Sequence, residues 1–300
     1  MLQTFSQLLS SSWNFFRSHF TVFAVAAVVV GLVLFTGQYL LHRNTVFMME
    51  SKFGSMERFS DFAERIENGD EQAMDDMMKE MGMMTAEGEI NEDAAEMVAK
   101  HIIKGLAPAL GSFAMIAILL SFLASAYYLV VAVDGTKDPI VALKRACSVV
   151  LPLIGLSIWM MLRSFVWIPL IGIIFGFIIG PRLTLAPVLY VRDGMGVFES
   201  VRVSNERSRG YWGRIVGYWI LAGFTVGIAM LLIFAVFSML LAPVPMLAGL
   251  VLIVTQHLCI AFCSVFYTQF SSDILAHPLA PVAVAGKVNL TKNAPAKKRK

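Results

Sequence analysis

The chain alternates long apolar runs with short polar ones. The first run, 20–41, has no charge in 22 positions, and a membrane-spanning helix needs ~20 mostly apolar residues. It is too long for a signal-peptide core and lacks a small-x-small cleavage site, so it reads as a retained anchor. A second uncharged run covers 106–133. The third, 147–180, carries one charge, Arg163. It is too long for one span and suits two short ones, 147–162 and 165–180, with a turn at Arg163-Ser164. The fifth and sixth spans fall at 215–241 and 245–270. Ala242-Pro243-Val244-Pro245 marks the turn between them, because each Pro removes a backbone donor. The expected fold class is all-α: a polytopic bundle of six transmembrane helices with interfacial amphipathic helices and a small helical insertion.

Composition agrees. Apolar residues make up 57% of the chain and charged residues 15%, against ~25% charged in soluble domains. Three cysteines make no disulfide framework. Orientation follows from Lys and Arg, which concentrate in cytoplasmic loops. With both termini inside, the inner segments hold 16 basic residues and the outer ones 8. The expected layout is a cytoplasmic amphipathic helix at 1–19, an extracytoplasmic segment at 42–105, and a second cytoplasmic amphipathic helix at 134–146. A basic cytoplasmic motif follows at 181–214, and a basic tail at 271–300. The expected location is a bacterial inner membrane.

The 42–105 segment has 15 acidic and 7 basic residues. Phe53, Met56, Phe59, Phe62 and Ile66 recur at helical steps. Asn68-Gly69 ends that helix, since both tolerate positive φ. Asp70 caps the next, whose apolar face is Met74, Met77, Met78 and Met81. Asn91 caps a third, with Glu92 and Asp93 in its first turn. Its stripe of Ala95, Val98 and Ile102 runs into the second span. Soft thioethers suit Cu(I), which makes Met74, Met77, Met78, Met81, Met83 and Met84 one candidate ligand set. The favoured reading is that flexible Met fills a small irregular core. Asp70, Glu71, Asp75, Asp76 and Glu80 lack Ca²⁺-loop spacing and read as a solvated face.

Three stretches, from Phe5, Ile140 and Val197, each look like a short amphipathic helix leading into a span. Their alignment superposes Ser12, Cys147 and Ser204, an internal repeat. The run from Pro181 through Pro187 to Arg192-Asp193-Gly194, then Ser204 and Arg209-Gly210-Tyr211-Trp212-Gly213-Arg214, resembles the signature of bacterial six-span membrane domains. These include the membrane domain attached to some glycerophosphodiester phosphodiesterases, and related uncharacterised inner-membrane families. The resemblance covers most of the membrane part, leaves out 42–105, and implies a fold but no activity for this domain. On the residues themselves, Pro181 and Pro187 limit the preceding helix, and Gly194 and Gly196 allow a tight reversal. Arg202, Arg207, Arg209 and Arg214 are placed to meet anionic headgroups, and Trp212 is an interfacial ring; a plain anchor helix that holds the bundle at its depth is the favoured reading over a dedicated headgroup site.

Polar groups inside spans default to functional hypotheses, which selects Gln256 and His257. Cys259 and Cys263 share a helix face, but His257 lies ~200° from Cys259, so one helix cannot present all three to a metal. A buried interhelical hydrogen bond by Gln256 or His257 is the favoured reading. Arg163 reads as an outer-turn residue, and Lys297-Lys298-Arg299-Lys300 as a solvated tail. No enzyme motif is present, and no catalytic residue, cofactor or metal is expected. The expected role is non-enzymatic organisation or sensing of membrane lipid or envelope components. A small transporter or channel and a lipid-modifying enzyme are the alternatives. The expected partners are anionic membrane lipids and other membrane or envelope proteins, with no nucleic acid.

Overall fold

The computed structural model describes residues 2–53, 56–80, 82–85 and 90–277. The basic tail beyond 277 and Met81 lie outside the described residues. Eleven α-helices and no strand occur among the described residues. They are α1 Phe5–Ser18, α2 Phe20–Phe53, α3 Met56–Glu67, α4 Glu71–Glu80, α5 Glu92–Asp134, α6 Pro139–Ser164, α7 Ile171–Leu183, α8 Ala186–Asp193, α9 Val197–Arg207, α10 Trp212–Leu240 and α11 Pro245–Ala276. Six stretches are long and apolar enough to cross a membrane: Phe20–Met48, Ile103–Asp134, Pro139–Ser164, Gly172–Asp193, Trp212–Leu240 and Met246–Ala276. This is the architecture of a multi-pass integral membrane protein.

Several boundaries differ from the pattern-based expectation. The separate helix at 134–146 and the span at 147–162 are one continuous α6. Asp138 caps it, its Oδ1 accepting from the Ile140 N–H at 2.8 Å, and Pro139 occupies the first helical position. Nothing between Pro139 and Cys147 stops a helix once it has started. The break expected at Arg163-Ser164 comes at 165–170, where Phe165 and Leu170 take positive φ of 56° and 65°. The returning helix needs Gly172 there: a β-carbon at that position would lie 2.4 Å from the Phe165 carbonyl oxygen. Pro181 does not end α7 but sits inside it, and Pro187 lies in the first turn of α8. The fourth span thus extends past 180, and 181–193 belongs to the bundle.

Beyond the spans, α2 runs on to Phe53 and α5 starts at Glu92, so both continue out of the apolar zone. Between them α3 and α4 form a small hairpin. Phe62 and Ala73 are buried in it, and Arg65 bonds Asp70 at 2.9 Å and Asp76 at 3.1 Å. Asp70 caps α4, its Oδ1 accepting from Gln72 N–H at 3.0 Å. Met74 is exposed on this hairpin, and Met77, Met78, Met83 and Met84 are half-buried. No three His, Cys, Asp or Glu residues come together as a metal site among the described residues.

The tight packing lies at one end of the bundle. Phe23, Tyr128, Val130, Val131, Ala142 and Ala146 are wholly buried there, from the start of α2, the end of α5 and the start of α6. A second cluster joins Leu8 of α1 and Leu185 and Leu189 near α8 to Ile215, Phe270 and Ile274. Lipid tails are as apolar as these side chains, so burial alone gives little drive between helices; van der Waals packing and interhelical hydrogen bonds carry more. Tyr127 Oη donates to the Val22 carbonyl at 3.2 Å, joining α5 to α2. Arg145 bonds Asp134 at 2.9 Å and the Val191 carbonyl at 3.0 Å, joining α6 to α5 and α8. The two chain ends meet here as well: the Gln3 N–H donates to Asp273 at 3.1 Å.

Candidate functional site

The basic motif is built as a set of hydrogen bonds that repair breaks in the span backbone. Pro181 has no N–H, so the carbonyl four residues earlier, Phe177, loses its intrahelical donor. Trp212 Nε1 donates to that carbonyl at 3.2 Å, while its ring meets the Phe177 ring edge-on at 5.4 Å. Two residues on, α7 gives way to α8 and again leaves backbone groups without helical partners. Ser204 of α9 and Ser208 at its C-cap, both fully buried, donate to the Arg182 carbonyl at 2.8 and 2.9 Å. Ser204 Oγ also accepts from the Leu185 N–H at 3.1 Å. One buried serine thus serves the end of α7 and the start of α8 together.

These bonds hold α9 with one face inward. Ser200, Val201 and Ser204 are buried; Arg202 and Arg207 point outward, exposed, as does Arg209 just beyond the helix. None of the three makes an ion pair among the described residues. Glu199 and Glu206 share the helix, Glu199 in the first turn, where a helix N-terminus favours an acid. Gly194 ends α8 in the left-handed region with φ 65° and reverses the chain into α9.

Arg214 and Trp212 differ from the sequence-based expectation. Arg214 faces inward and lies 3.6 Å from Asp273, whose side chain is 5% exposed. Its guanidinium stacks over the Tyr218 ring at 4.9 Å and donates to the Gln3 carbonyl. Tyr218 Oη donates to the same carbonyl at 3.2 Å. The result is a half-buried knot, with Asp273 at its buried end, holding Gln3 against α10 and α11. Arg214 has a protein partner and is not free for a headgroup, and Trp212 serves α7. The signal for Arg214 was available only in part: Asp273 falls in what was expected to be the basic tail at 271–300, but α11 continues through it to Ala276, and a buried carboxylate needs a cation.

The intramembrane candidates separate as well. Gln256 is exposed on the outside of α11. His257 is 6% exposed and faces α5, its ring 6.4 Å from that of Tyr128. Neither His257 Nδ1 nor Tyr128 Oη has a hydrogen-bond partner among the described residues. Cys259 and Cys263 lie on the opposite side of α11, lining the clefts toward α10, so the three residues do not converge. The serines aligned by the repeat behave alike. Ser12 is wholly buried and donates to Gln269 Oε1 at 3.1 Å, as Ser204 is buried at α7; Cys147, aligned with them, is exposed. Sequence reading missed Gln269, which also accepts from Ser11 at 2.6 Å.

No family model matches this chain, and no curated protein or solved structure matches it.

Proposed function

We propose that this is a non-enzymatic inner-membrane protein of bacteria that engages anionic lipid headgroups at its basic end. Both termini face the cytoplasm in this reading, and residues 42–105 face outward. The observation that carries it is the exposure of Arg202, Arg207 and Arg209, without ion pairs among the described residues, on and just beyond a helix whose other face is pinned to the spans. A basic residue near an anionic surface contributes about 1 kcal/mol of attraction. Three together give about 3 kcal/mol, on the order of a hundredfold in affinity. The buried serines hold the arginines at one depth, so little side-chain placement has to be bought on binding.

The test compares wild type with the triple variant R202Q/R207Q/R209Q in nanodiscs of mixed phosphatidylcholine and phosphatidylglycerol. The wild type is expected to enrich phosphatidylglycerol among the lipids it retains, and the variant to lose most of that enrichment. Equal enrichment in both would end the proposal. Arg214 is left unchanged, because removing it would strand Asp273 and disturb folding.

A further inference from the structure

The stretches Pro139–Ser164 and Gly172–Asp193 are apolar and long enough to cross a membrane, but their contacts restrict how deep they reach. Trp212 is the first residue of α10 and of its apolar stretch, and its Nε1 bonds the Phe177 carbonyl. From Phe177 back to Ile171, where α7 begins, is ~9 Å at ~1.5 Å per residue. From Trp212 to Leu240, where α10 ends, is ~42 Å by the same rise. The turn before α7 folds back onto it. The Phe165 and Phe175 rings lie 5.5 Å apart, and a β-carbon on Gly176 would lie 2.8 Å from Val166 Cγ2. The end of α6 is therefore level with the residues just before Phe177. Beyond the Trp212 bond, α7 covers less than a third of a ~30 Å hydrocarbon core.

Near its start α6 is tied to the same side of the bundle. Arg145 bonds Asp134, the last residue of α5 and of its apolar stretch, at 2.9 Å. The end of α5 meets the start of α2 through Tyr127 and Val22, and α1, which leads into α2, reaches the first turns of α10, where the Phe5 and Tyr218 rings lie 5.5 Å apart. Helix α6 is ~38 Å long, yet both its ends stand at this one side, so it runs along the boundary and not across the core. Arg163, the one charge from 147 to 180, is exposed two residues before Phe165, at a depth from which a long stem reaches the headgroups. The other outward side chains here are apolar: Ile158, Leu162, Val166, Trp167, Leu170 and Ile173 are all exposed. An unsatisfied backbone group in hydrocarbon is costly. In the turn, the Ile168 N–H donates to the Phe165 carbonyl at 3.0 Å and the Gly172 N–H to the Ile168 carbonyl at 2.7 Å. Trp167 Nε1 donates to the Leu162 carbonyl at 3.4 Å, and Pro169 has no N–H to satisfy. We propose that α6 and α7 form a re-entrant hairpin seated among the acyl chains of one leaflet, the leaflet on the α9 side, and that α2, α5, α10 and α11 make the crossings. Four crossings keep the parity of six, so both chain ends still share a side. Lengths and contacts carry the hairpin, not lipid charge, so loss of the α9 proposal leaves it standing.

Full-length protein carrying C147A/C259A/C263A is spin-labelled through L170C, I173C or M239C and placed in nanodiscs. Leu170, Ile173 and Met239 are 79%, 75% and 83% exposed, so a label displaces little packing. Depth is read from collisions with oxygen, which concentrates in hydrocarbon, against collisions with a water-soluble nickel chelate. The labels at 170 and 173 are expected to lie roughly 10 Å inside the near headgroups and to meet little nickel. The label at 239, near the far end of α10, is expected to meet it freely. Nickel collisions at 170 and 173 as frequent as at 239 overturn the hairpin. A second measurement uses the wild-type chain. Phosphatidylcholine with a photoactivatable group midway along its acyl chain is expected to label 165–174 several-fold more than phosphatidylcholine with the group on its headgroup. Stronger labelling from the headgroup overturns the proposal even if the spin-labelled variants do not fold.

Discussion

The bond from Trp212 to the Phe177 carbonyl makes a specific energetic claim. It exists because Pro181 removed the donor that would otherwise serve that carbonyl. Trp212→Phe keeps an aromatic ring for the edge-on contact at 5.4 Å but deletes the N–H. An unsatisfied group in pure hydrocarbon would cost several kcal/mol. Measured interhelical bonds in membrane proteins average nearer ~0.6 kcal/mol, with a maximum of ~1.7. Trp212 starts its helix, where water is close, so about 1 kcal/mol is the expected loss. Pro181→Ala restores an N–H within reach of the same carbonyl, and in that background Trp212→Phe should cost almost nothing. The double-mutant cycle should therefore give a coupling of about 1 kcal/mol, above the ~0.3–0.5 kcal/mol scatter of independent sites. Unfolding free energies from steric trapping in bicelles measure it. A coupling within that scatter would show that Trp212 packs against α7 without repairing it.

Two further outcomes follow from the described geometry. Asp273→Ala removes the partner of Arg214 and of the Gln3 N–H together, a loss of about 2 kcal/mol for charged hydrogen bonds. Amide hydrogen exchange over residues 3–8 should accelerate while α5 amides stay protected; unchanged exchange there would show that the N-terminal turn is held by Leu8 packing alone. In the α3–α4 hairpin, the hydrogen bond from Arg65, more than the Gln72 N–H, holds the Asp70 carboxyl below its ordinary value of 3.8, and hydrogen bonds to Asp76 and then Asp70 raise Arg65. A depressed carboxylate contributes stability that is complete above its unfolded value and is lost as pH falls through the folded one. Spin labels at Asp61 and Gln72 should keep one distance from about pH 8 to 5 and broaden only below 3.8. Broadening near neutrality would rule out the Arg65–Asp70 bond as the clasp.

Much of the architecture was readable because lipid imposes a composition rule that needs no tertiary knowledge: the long apolar runs, divided at Arg163 and at the Ala242–Pro245 turn, predict six apolar helices. Local rules also held where they act alone. Asp70 caps α4, and Asn68-Gly69 closes α3. Boundaries failed where helix continuity competed with pattern. The periodicity change at Cys147 is not a break in the backbone of α6. Pro181 was read as a stop because its cost was taken in isolation; Trp212, 31 positions along the chain, offsets it. The candidate site divided for a related reason. Arg202, Arg207 and Arg209 stay outward as an amphipathic pattern implies, whereas Arg214 turns inward to a carboxylate on another helix. A sequence shows each charge but not the pairing that moves it from surface to interior. Gln256 and His257 are neighbours with opposite exposure for the simpler reason that adjacent helical residues diverge by ~100°.

The distribution of packing explains why the clefts lined by Cys259 and Cys263 stand beside α10. The first residues of α10 are held by several independent contacts: Tyr211 Oη to the His277 carbonyl, Trp212 to Phe177, Arg214 to Asp273, and Ile215 in the buried cluster. Past Ile215 the helix buries none of its side chains fully, and its most apolar stretch has no buried residue at all. A helix fastened at its start and joined to α11 by the short turn at its other end need not touch its neighbour in between. Leu9 and Trp13 of α1 enter that gap from the basic end. Since burying apolar side chains against protein instead of lipid gains little, nothing drives α10 inward to close it. The gap therefore costs the fold almost nothing to keep open, and a lipid chain that fills it need only match the contacts that bulk lipid would make.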